Sequence, residues 1–401
     1  MFHSESGGVG FYRIWQPAKF MSLDVRTFGN DKPPALPVTD DLTDVTKEAK
    51  KNFKIYGSWE SIGKNHDIIT CQRTDDLRQV SLLFGLKATF NKPLVLEVDD
   101  DFLNIQRDHL AWEKYGKDAA KNNYKIIPIK ESEVKHYSDL VSKGEIEGTF
   151  LENQDGLFFV QDSGRNKRDV VIALAQGVDA MTVSTQELKE IYKPFCKNIY
   201  VLPNSIDSEV WKVKKKRLNN GKIRIGWAGG GHHYWDLWEV WGVLKTILDL
   251  YPNVEFHYMN IRPDFLEEHP KCFWHPGTFV DKYPQAVADM DLDIAIAPLK
   301  KTKFNAGKSN LKWLEYSMLD LPIIATDWHP YRCIENKVDG ILCKNDKEWL
   351  SALKKLIENP AERAKLAQKA KKRVLKEYNA KTNGKLWDEA YKDIWQRTLG
   401  E

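Results

Sequence analysis

Short apolar runs alternate with longer stretches of helical period along nearly the whole chain. In the first half, runs at His66–Cys71, Pro93–Val98, Asp179–Val183 and Asn198–Leu202 predict strands buried on both faces. Helical spacing between them predicts helices over Asp75–Thr89, Lys167–Gln176 and Thr185–Tyr192. The pattern then restarts. Strands are predicted at Ile223–Trp227, Val254–Met259, Leu292–Ala297, Pro322–Ala325 and Gly340–Cys343, with helices near Trp235–Leu250, Asp281–Ala288 and Ser309–Leu319. Alternating β and α elements with continuously apolar strands predict parallel sheets covered by helices. Two such series, parted by the turn-rich and basic Pro203–Gly221, give an α/β protein of two doubly wound domains facing each other, 1–204 and 205–379. A last helix, about Thr382–Leu399, places Leu386, Trp387, Ala390, Tyr391 and Ile394 on one stripe. Two segments break the pattern. Gly29–Asp44 carries Pro33, Pro34 and Pro37 and reads as an irregular surface loop. Asn104–Gly164 is charged and tyrosine-rich, and reads as an insertion beside the cleft.

Composition narrows the class. The 401 residues are 42% hydrophobic, with 14 Trp, 15 Tyr and 17 Phe, which excludes a disordered chain. The longest apolar run, around Ile294–Leu299, falls far short of the ~20 residues of a membrane span. The N-terminus has neither the basic nor the apolar region of a secretory signal. Five cysteines without CxxC spacing argue against a zinc centre or a disulfide framework. The expectation is a soluble, cytoplasmic protein with no metal site. Trp235, Trp238 and Trp241 recur at i+3 steps and read as core packing, whereas Trp328-His329-Pro330, just past a strand end, reads as a cleft aromatic.

Open parallel sheets bind ligands at the carboxyl ends of their strands, and four strand or helix ends carry suitable chemistry. Ile225-Gly-Trp-Ala-Gly-Gly-Gly-His-His runs from a strand into three glycines, Gly229, Gly230 and Gly231, where backbone N–H groups can approach an anion. His232 or His233 can then donate to a phosphate oxygen, or either is a surface histidine at a helix start. Phe304–Tyr316 follows another strand end. There Lys308, Ser309 and Asn310 form an anion seat at a helix start, and Glu315 lies two turns beyond Lys308, roughly 10 Å along the same face. A nucleoside diphosphate has that shape, with phosphate at one end and a diol at the other; the plain alternative for Glu315 is an ion pair with Lys312. Glu97-Val-Asp99-Asp100-Asp101 ends a buried strand with carboxylates that bind a cation, act as a base or cap the next segment. Gly8, Gly10 and Arg13 head a helix through Met21, and an arginine there suits phosphate or carboxylate.

Ile199-Tyr-Val-Leu-Pro-Asn-Ser-Ile-Asp, Gly226-Trp-Ala-Gly-Gly and Lys312-Trp-Leu-Glu-Tyr-Ser-Met-Leu-Asp-Leu-Pro-Ile-Ile-Ala-Thr together resemble the family 4, or group 1, glycosyltransferases of the GT-B fold. Gly10-Phe-Tyr-Arg and Glu97-Val-Asp-Asp-Asp resemble the subset frequent in bacteriophage genomes and surface-glycan clusters. The resemblance implies two Rossmann-like domains, with the last helix (about 380–401) crossing back to the first. It also implies a nucleoside-diphosphate sugar donor, a UDP-sugar in our reading, held by the second domain, with no obligatory cofactor or metal and retention at the anomeric carbon. Glu315 matches the second glutamate of the family's E-x7-E motif, which hydrogen-bonds the donor ribose; Gly307 stands where the first belongs. The Arg and Lys that the family places after the first strand of its second domain have no match, and His232, His233 and Lys308 stand in for them. Our own reading takes Lys308, Asp100 and His233 as the catalytic set, with an Asp of Asp99–Asp101 as base if the enzyme inverts. Donor binding falls to Gly8, Gly10, Arg13, Gly229–Gly231, His232, Ser309, Asn310 and Glu315. The acceptor is a hydroxymethylated pyrimidine in phage DNA, or a hydroxyl of a surface glycan or protein. The basic segments Lys212–Arg217 and Lys300–Lys303, placed at the cleft rim, tilt the reading to DNA. Two rivals follow from Gly307 and from the Asp99-x-Asp101 spacing: a non-catalytic nucleotide-sugar-binding module, and a metal-dependent GT-A enzyme.

Overall fold

The computed structural model describes residues 8–25, 59–74, 77–107, 109, 111–112, 125–143, 146–153, 156–162, 167–214 and 217–399. The Gly29–Asp44 loop and Lys215–Lys216 lie outside these residues. Strands β1 (Ile69–Gln72), β2 (Leu94–Val98), β6 (Ala180–Val183) and β7 (Ile199–Val201) form a four-stranded parallel sheet in the order β1-β2-β6-β7. A six-stranded parallel sheet follows, built from β8 (Ile223–Ala228), β9 (Val254–Met259), β10 (Cys272–His275), β11 (Ile294–Ala297), β12 (Ile323–Thr326) and β13 (Ile341–Cys343). Its order is β10-β9-β8-β11-β12-β13, the doubly wound arrangement whose direction reverses between β8 and β11. Both faces of this sheet are covered, as its continuous apolar runs require. Ile225, Trp227, Ile294 and Ile296 pack on one side with Leu237, Val240 and Ile247, while Ala228, Ala295, Ala297 and Trp313 pack on the other.

The predicted strands and helices all appear, shifted by a few residues. The first strand starts at Ile69 rather than His66, because His66 belongs to the end of the Trp59–Asn65 helix, its Nδ1 2.9 Å from Ile62 O. Edge strand β10 has no apolar alternation to reveal it, with Phe273 and Trp274 both exposed. The insertion is folded: β3 (Lys125–Pro128), β4 (Glu147–Asn153) and β5 (Gly156–Asp162) make an antiparallel sheet in the order β3-β5-β4, beside the helix Val134–Ser142. Tyr137 stacks on the fully buried Phe159 at 4.5 Å, which gives this unit an aromatic centre.

Three expectations change with the structure. Trp235 and Trp238 are 40% and 48% exposed rather than in the core. Steps of three residues drift by ~60° per step around a helix, so the tryptophans leave the inward face held by Leu237, Val240, Leu244 and Ile247. Leu386 is likewise exposed, although Trp387, Ala390, Tyr391 and Ile394 of the last helix, Ala380–Leu399, pack against Val95, Ala180 and Leu202. That helix approaches the first one so closely that a Cβ on Gly384 would overlap Phe20 O. Finally, Arg217 lies away from the cleft. It donates to Asp291 Oδ1 (3.0 Å) and Asp293 Oδ1 (2.6 Å), residues that precede β11 and so sit at the strand starts.

Candidate active site

The carboxyl ends of β8 and β11 open on a cavity of about 820 Å³ between the two sheets, walled on the other side by the first helix and the end of β2. The first helix runs as Gly8–Gly10, widens to a π-helical turn at Phe11–Trp15 and resumes as Gln16–Phe20. The wide turn buries three successive residues, Tyr12, Arg13 and Ile14. Arg13 is 1% exposed and pairs bidentately with Glu97 of β2, Nε to Oε1 at 2.6 Å and Nη2 to Oε2 at 3.0 Å. Its Nη1 donates to Leu202 O and to Asn204 Oδ1. Arg13 lines the cavity, but the carboxylate it holds is the protein's own, and its Asn204 partner continues to the second domain, Nδ2 donating to Ser309 Oγ at 2.9 Å.

Glu315 comes from the Leu311–Met318 helix and is nearly buried. Tyr12 OH donates to its Oε1 (2.9 Å) and Tyr283 OH to its Oε2 (3.3 Å), so a tyrosine from each domain meets the carboxylate. Burial pushes the Glu315 carboxyl above its usual range, opposed by Lys312 and the two tyrosines. The alternative of an ion pair between Glu315 and Lys312 is not formed. Lys312 Nζ turns instead to Ala228 O (2.7 Å) and lies 4.6 Å from the Trp227 ring centroid. Gly229 is needed for this contact, since a Cβ there would overlap Lys312 Nζ.

Lys308 Nζ is 3.3 Å from Asp100 Oδ1 across the cleft, and both residues line the cavity with Asp99 and Ser309. Asp101 does not. Its Oδ1 accepts from Leu103 N and Asn104 N and its Oδ2 from Asn104 Nδ2 (2.7 Å), a turn cap whose carboxyl burial lifts to about 6. The Asp99-x-Asp101 spacing therefore does not present a pair of carboxylates to one ligand.

His233 lines the cavity beside Gly229 and Gly230, with Nδ1 2.7 Å from Asp236 Oδ2. Burial lowers its pKa to about 4, so the ring is neutral at pH 7. Because a carboxylate only accepts, the single ring proton sits on Nδ1 and Nε2 is left as an acceptor. In this neutral ring Nε2 can accept from a hydroxyl and carries no proton to donate. Asp236 is fixed in turn by Lys300 N (2.7 Å) and Asn305 Nδ2 (2.9 Å).

Several predicted residues fall outside this cavity. His232 stacks on His109 from the insertion at 5.0 Å and edges a separate crevice with Trp235 and Lys300. Gly231 opens the short Gly231–His233 turn and is not part of the cavity wall. Asn310 directs Nδ2 to Cys333 Sγ at 3.3 Å. The wall at the first helix includes Val9 rather than Gly8 or Gly10, and Gly10 has an ordinary helical φ of −57°. Trp328 does not line the cavity; its neighbour His329 pairs across the domains with Glu187 at 2.8 Å. The domains also meet at Gly307, whose carbonyl accepts from Thr185 Oγ1 (3.0 Å) and whose absent side chain leaves room for Leu188. Lys312, Tyr12, Tyr283 and Asp236 were not selected from sequence. The spacing of Asp236 from His233 (i+3) at a helix start, and of Lys312 from Glu315 (i+3) within the helix, is the signal that sets Asp236 and Lys312 beside selected residues.

Residues 267–387 match the protein family described as glycosyl transferase-like. No curated protein matches the sequence. Among solved structures, Alr3699/HepE of Anabaena in complex with UDP and glucose is similar at a TM-score of 0.58 and 12% identity, with 98% of each chain covered. Sucrose-phosphate synthase of Thermosynechococcus elongatus is similar at a TM-score of 0.54 and 11% identity, over 99% of this chain and 89% of that one. TarM is similar at a TM-score of 0.51 and 14% identity, over 81% of this chain, which spans about half the length of TarM (54%). Among the described residues, no helix is long and apolar enough to cross a membrane. Identities this low speak for the fold alone, and the family match speaks for one segment: the chain has the GT-B fold, and its residues 267–387, which hold Lys308 and Glu315, are glycosyl transferase-like.

Proposed function

We propose that the protein transfers a sugar from a UDP-sugar to an acceptor hydroxyl, with retention at the anomeric carbon, in the cleft between a first domain of residues 1–204 plus the last helix and a second of 205–379. The observation that carries this reading is the single cavity at the β8/β11 reversal, which brings Lys308, Glu315 and the Gly229–Gly230 backbone to one ligand-sized space. Glu315 holds the ribose diol, and Tyr12 and Tyr283 keep its carboxylate in place. As the diphosphate leaves, Lys308 and the Gly229 and Gly230 amides stabilise its growing charge. His233 Nε2 accepts from a hydroxyl of the donor sugar, and the Lys308 contact holds Asp100 at the acceptor side. Uridine is favoured because HepE was crystallised with UDP and with UDP-glucose. The test is release of nucleoside diphosphate from a panel of UDP- and GDP-sugars. Absence of both turnover and binding with every donor would refute the reading.

The acceptor we favour is a hydroxyl of a glycan or protein. Arg217 is tied down at the strand starts, so it adds nothing to a cleft rim for a phosphate backbone. A hydroxymethylated pyrimidine in phage DNA remains the second reading, favoured by Lys300, Lys301 and Lys303 just after β11. Nucleoside mass spectrometry of hydroxymethylated duplex after incubation decides between them: a sugar increment establishes DNA, and none, with turnover on glycans, ends that reading.

A further inference from the structure

The loop that follows β8 lies where a diphosphate would sit, yet it brings no cation of its own: Gly229–Gly231 have no side chains, His232 faces another crevice and His233 is neutral. The cation at that loop comes from the helix Leu311–Met318. Lys312 is half-buried in the cavity wall, between Lys308 one turn before it and Glu315 one turn after. Of the three ammonium N–H groups, one donates to Ala228 O. Among the described residues, no carboxylate comes within 4.0 Å of its Nζ. Glu315, the nearest in sequence, gives its oxygens to Tyr12 and Tyr283, and Asp236 gives its own to His233, Lys300 and Asn305. The ammonium stays beside the aromatic face of Trp227 because residue 229 is glycine.

Resting on the glycosyltransferase reading, we infer that Lys312 is the principal diphosphate-binding cation of this site, delivered through the gap at Gly229 and acting beside Lys308. A supporting observation is that burial, with Lys308 adding repulsion, lowers the Lys312 pKa to about 8, against the pull of Glu315 and Asp236. A bound diphosphate would raise it again, so binding should take up a proton. The sign follows directly. Below pH 8 the free protein already carries the charge and affinity is full; above pH 8 the proton must be recruited, and affinity falls by up to about tenfold per pH unit. Glu315, Asp236 and Lys308 also act on Lys312, and burial raises the Glu315 carboxyl above its usual range. His233 lies near pH 4, and Tyr12 and Tyr283 are pushed well above 10. The terminal phosphate of UDP ionises near 6.

The experiment is calorimetric titration of UDP and of uridine into wild type, Lys312→Met and Lys312→Arg between pH 6.5 and 9.5, with a melting curve for each protein. Expected results are a loss of about 10- to 100-fold in UDP affinity for Lys312→Met with uridine unchanged, and a wild-type decline above pH 8 that Lys312→Arg abolishes. Glu315→Gln should keep that decline, which assigns it to the lysine. Equal UDP affinity in wild type and Lys312→Met, equal losses for UDP and uridine, or a wild-type profile flat to pH 9.5 each overturn the inference while leaving the donor reading intact. Failure of the wild type to bind UDP, GDP, ADP and CDP overturns the donor reading itself. If Lys312→Met does not fold, the pH profile of Lys312→Arg decides alone: abolition of the decline supports the inference and its persistence refutes it.

Discussion

Replacing Arg13 by Met tests whether this arginine holds the fold or binds the donor. Arg13 and Glu97 are 1% and 0% exposed, and the remaining acceptors of Arg13 are Leu202 O and Asn204 Oδ1. Its guanidinium also lies 5.0 Å from the ring centroid of Trp387, on the last helix. Removing Arg13 leaves the Glu97 carboxylate buried without its counter-charge, with the Thr182 hydroxyl among its remaining side-chain partners. Breaking such a pair from one side costs about 3–5 kcal/mol, because the other charge stays buried. For a domain of ~200 residues each kcal/mol moves the melting point by about 2–4 °C, so a fall of roughly 6–20 °C is expected. The double variant Arg13→Met with Glu97→Leu removes both charges and should recover most of the loss. Calorimetric melting gives the stabilities, and UDP titration below the variant's transition gives the affinity, expected to lie within a few-fold of wild type. An Arg13→Met protein that melts within ~2 °C of wild type but binds UDP tenfold more weakly would refute the structural role and return Arg13 to the donor.

Lys308→Ala should lower kcat by about 100-fold, the usual loss when one donor to a developing anion is removed; wild-type turnover would move the phosphate seat elsewhere. Glu315→Gln should raise the donor KM and change kcat less, because a ribose contact exists in ground and transition state alike; the reverse pattern in steady-state kinetics would assign Glu315 to the chemical step. Acid should destabilise the protein between pH 6.5 and 4. Burial holds His109 and His233 near 4 when folded against an ordinary 6.5, so the unfolded chain takes up protons that the native state refuses. Melting points measured across that interval should fall steeply, and less so in His233→Gln; equal slopes would place the His233 ring in an exposed site.

What the sequence discloses here follows the range of each interaction. Strands buried on both faces announce themselves locally, because every position must be apolar, and the two β/α series are readable for that reason. A charge inside such a run, Glu97, gives no local hint of its partner: Arg13 is 84 residues away and reaches it through a π-helical turn that apolar spacing does not encode. Lys308 and Glu315 were readable because a strand end followed by a helix fixes where both must point. Lys312 lies between them, and helical spacing offers it Glu315, the nearest opposite charge, as a partner. Spacing of that kind measures proximity along one helix and is blind to competition from other elements. Tyr12 and Tyr283 satisfy the carboxylate from two further elements, and Gly229 opens a route to Ala228 O. The same blindness gave the three glycines one shared task. Gly229 is small for the sake of a lysine 83 residues later, whereas a Cβ at Gly230 or Gly231 would meet nothing within 4 Å. The glycine run thus reads as one anion loop in sequence and divides in three dimensions. Gly229 admits the Lys312 ammonium, Gly230 lines the cavity, and Gly231 begins the turn that aims His233 at Asp236.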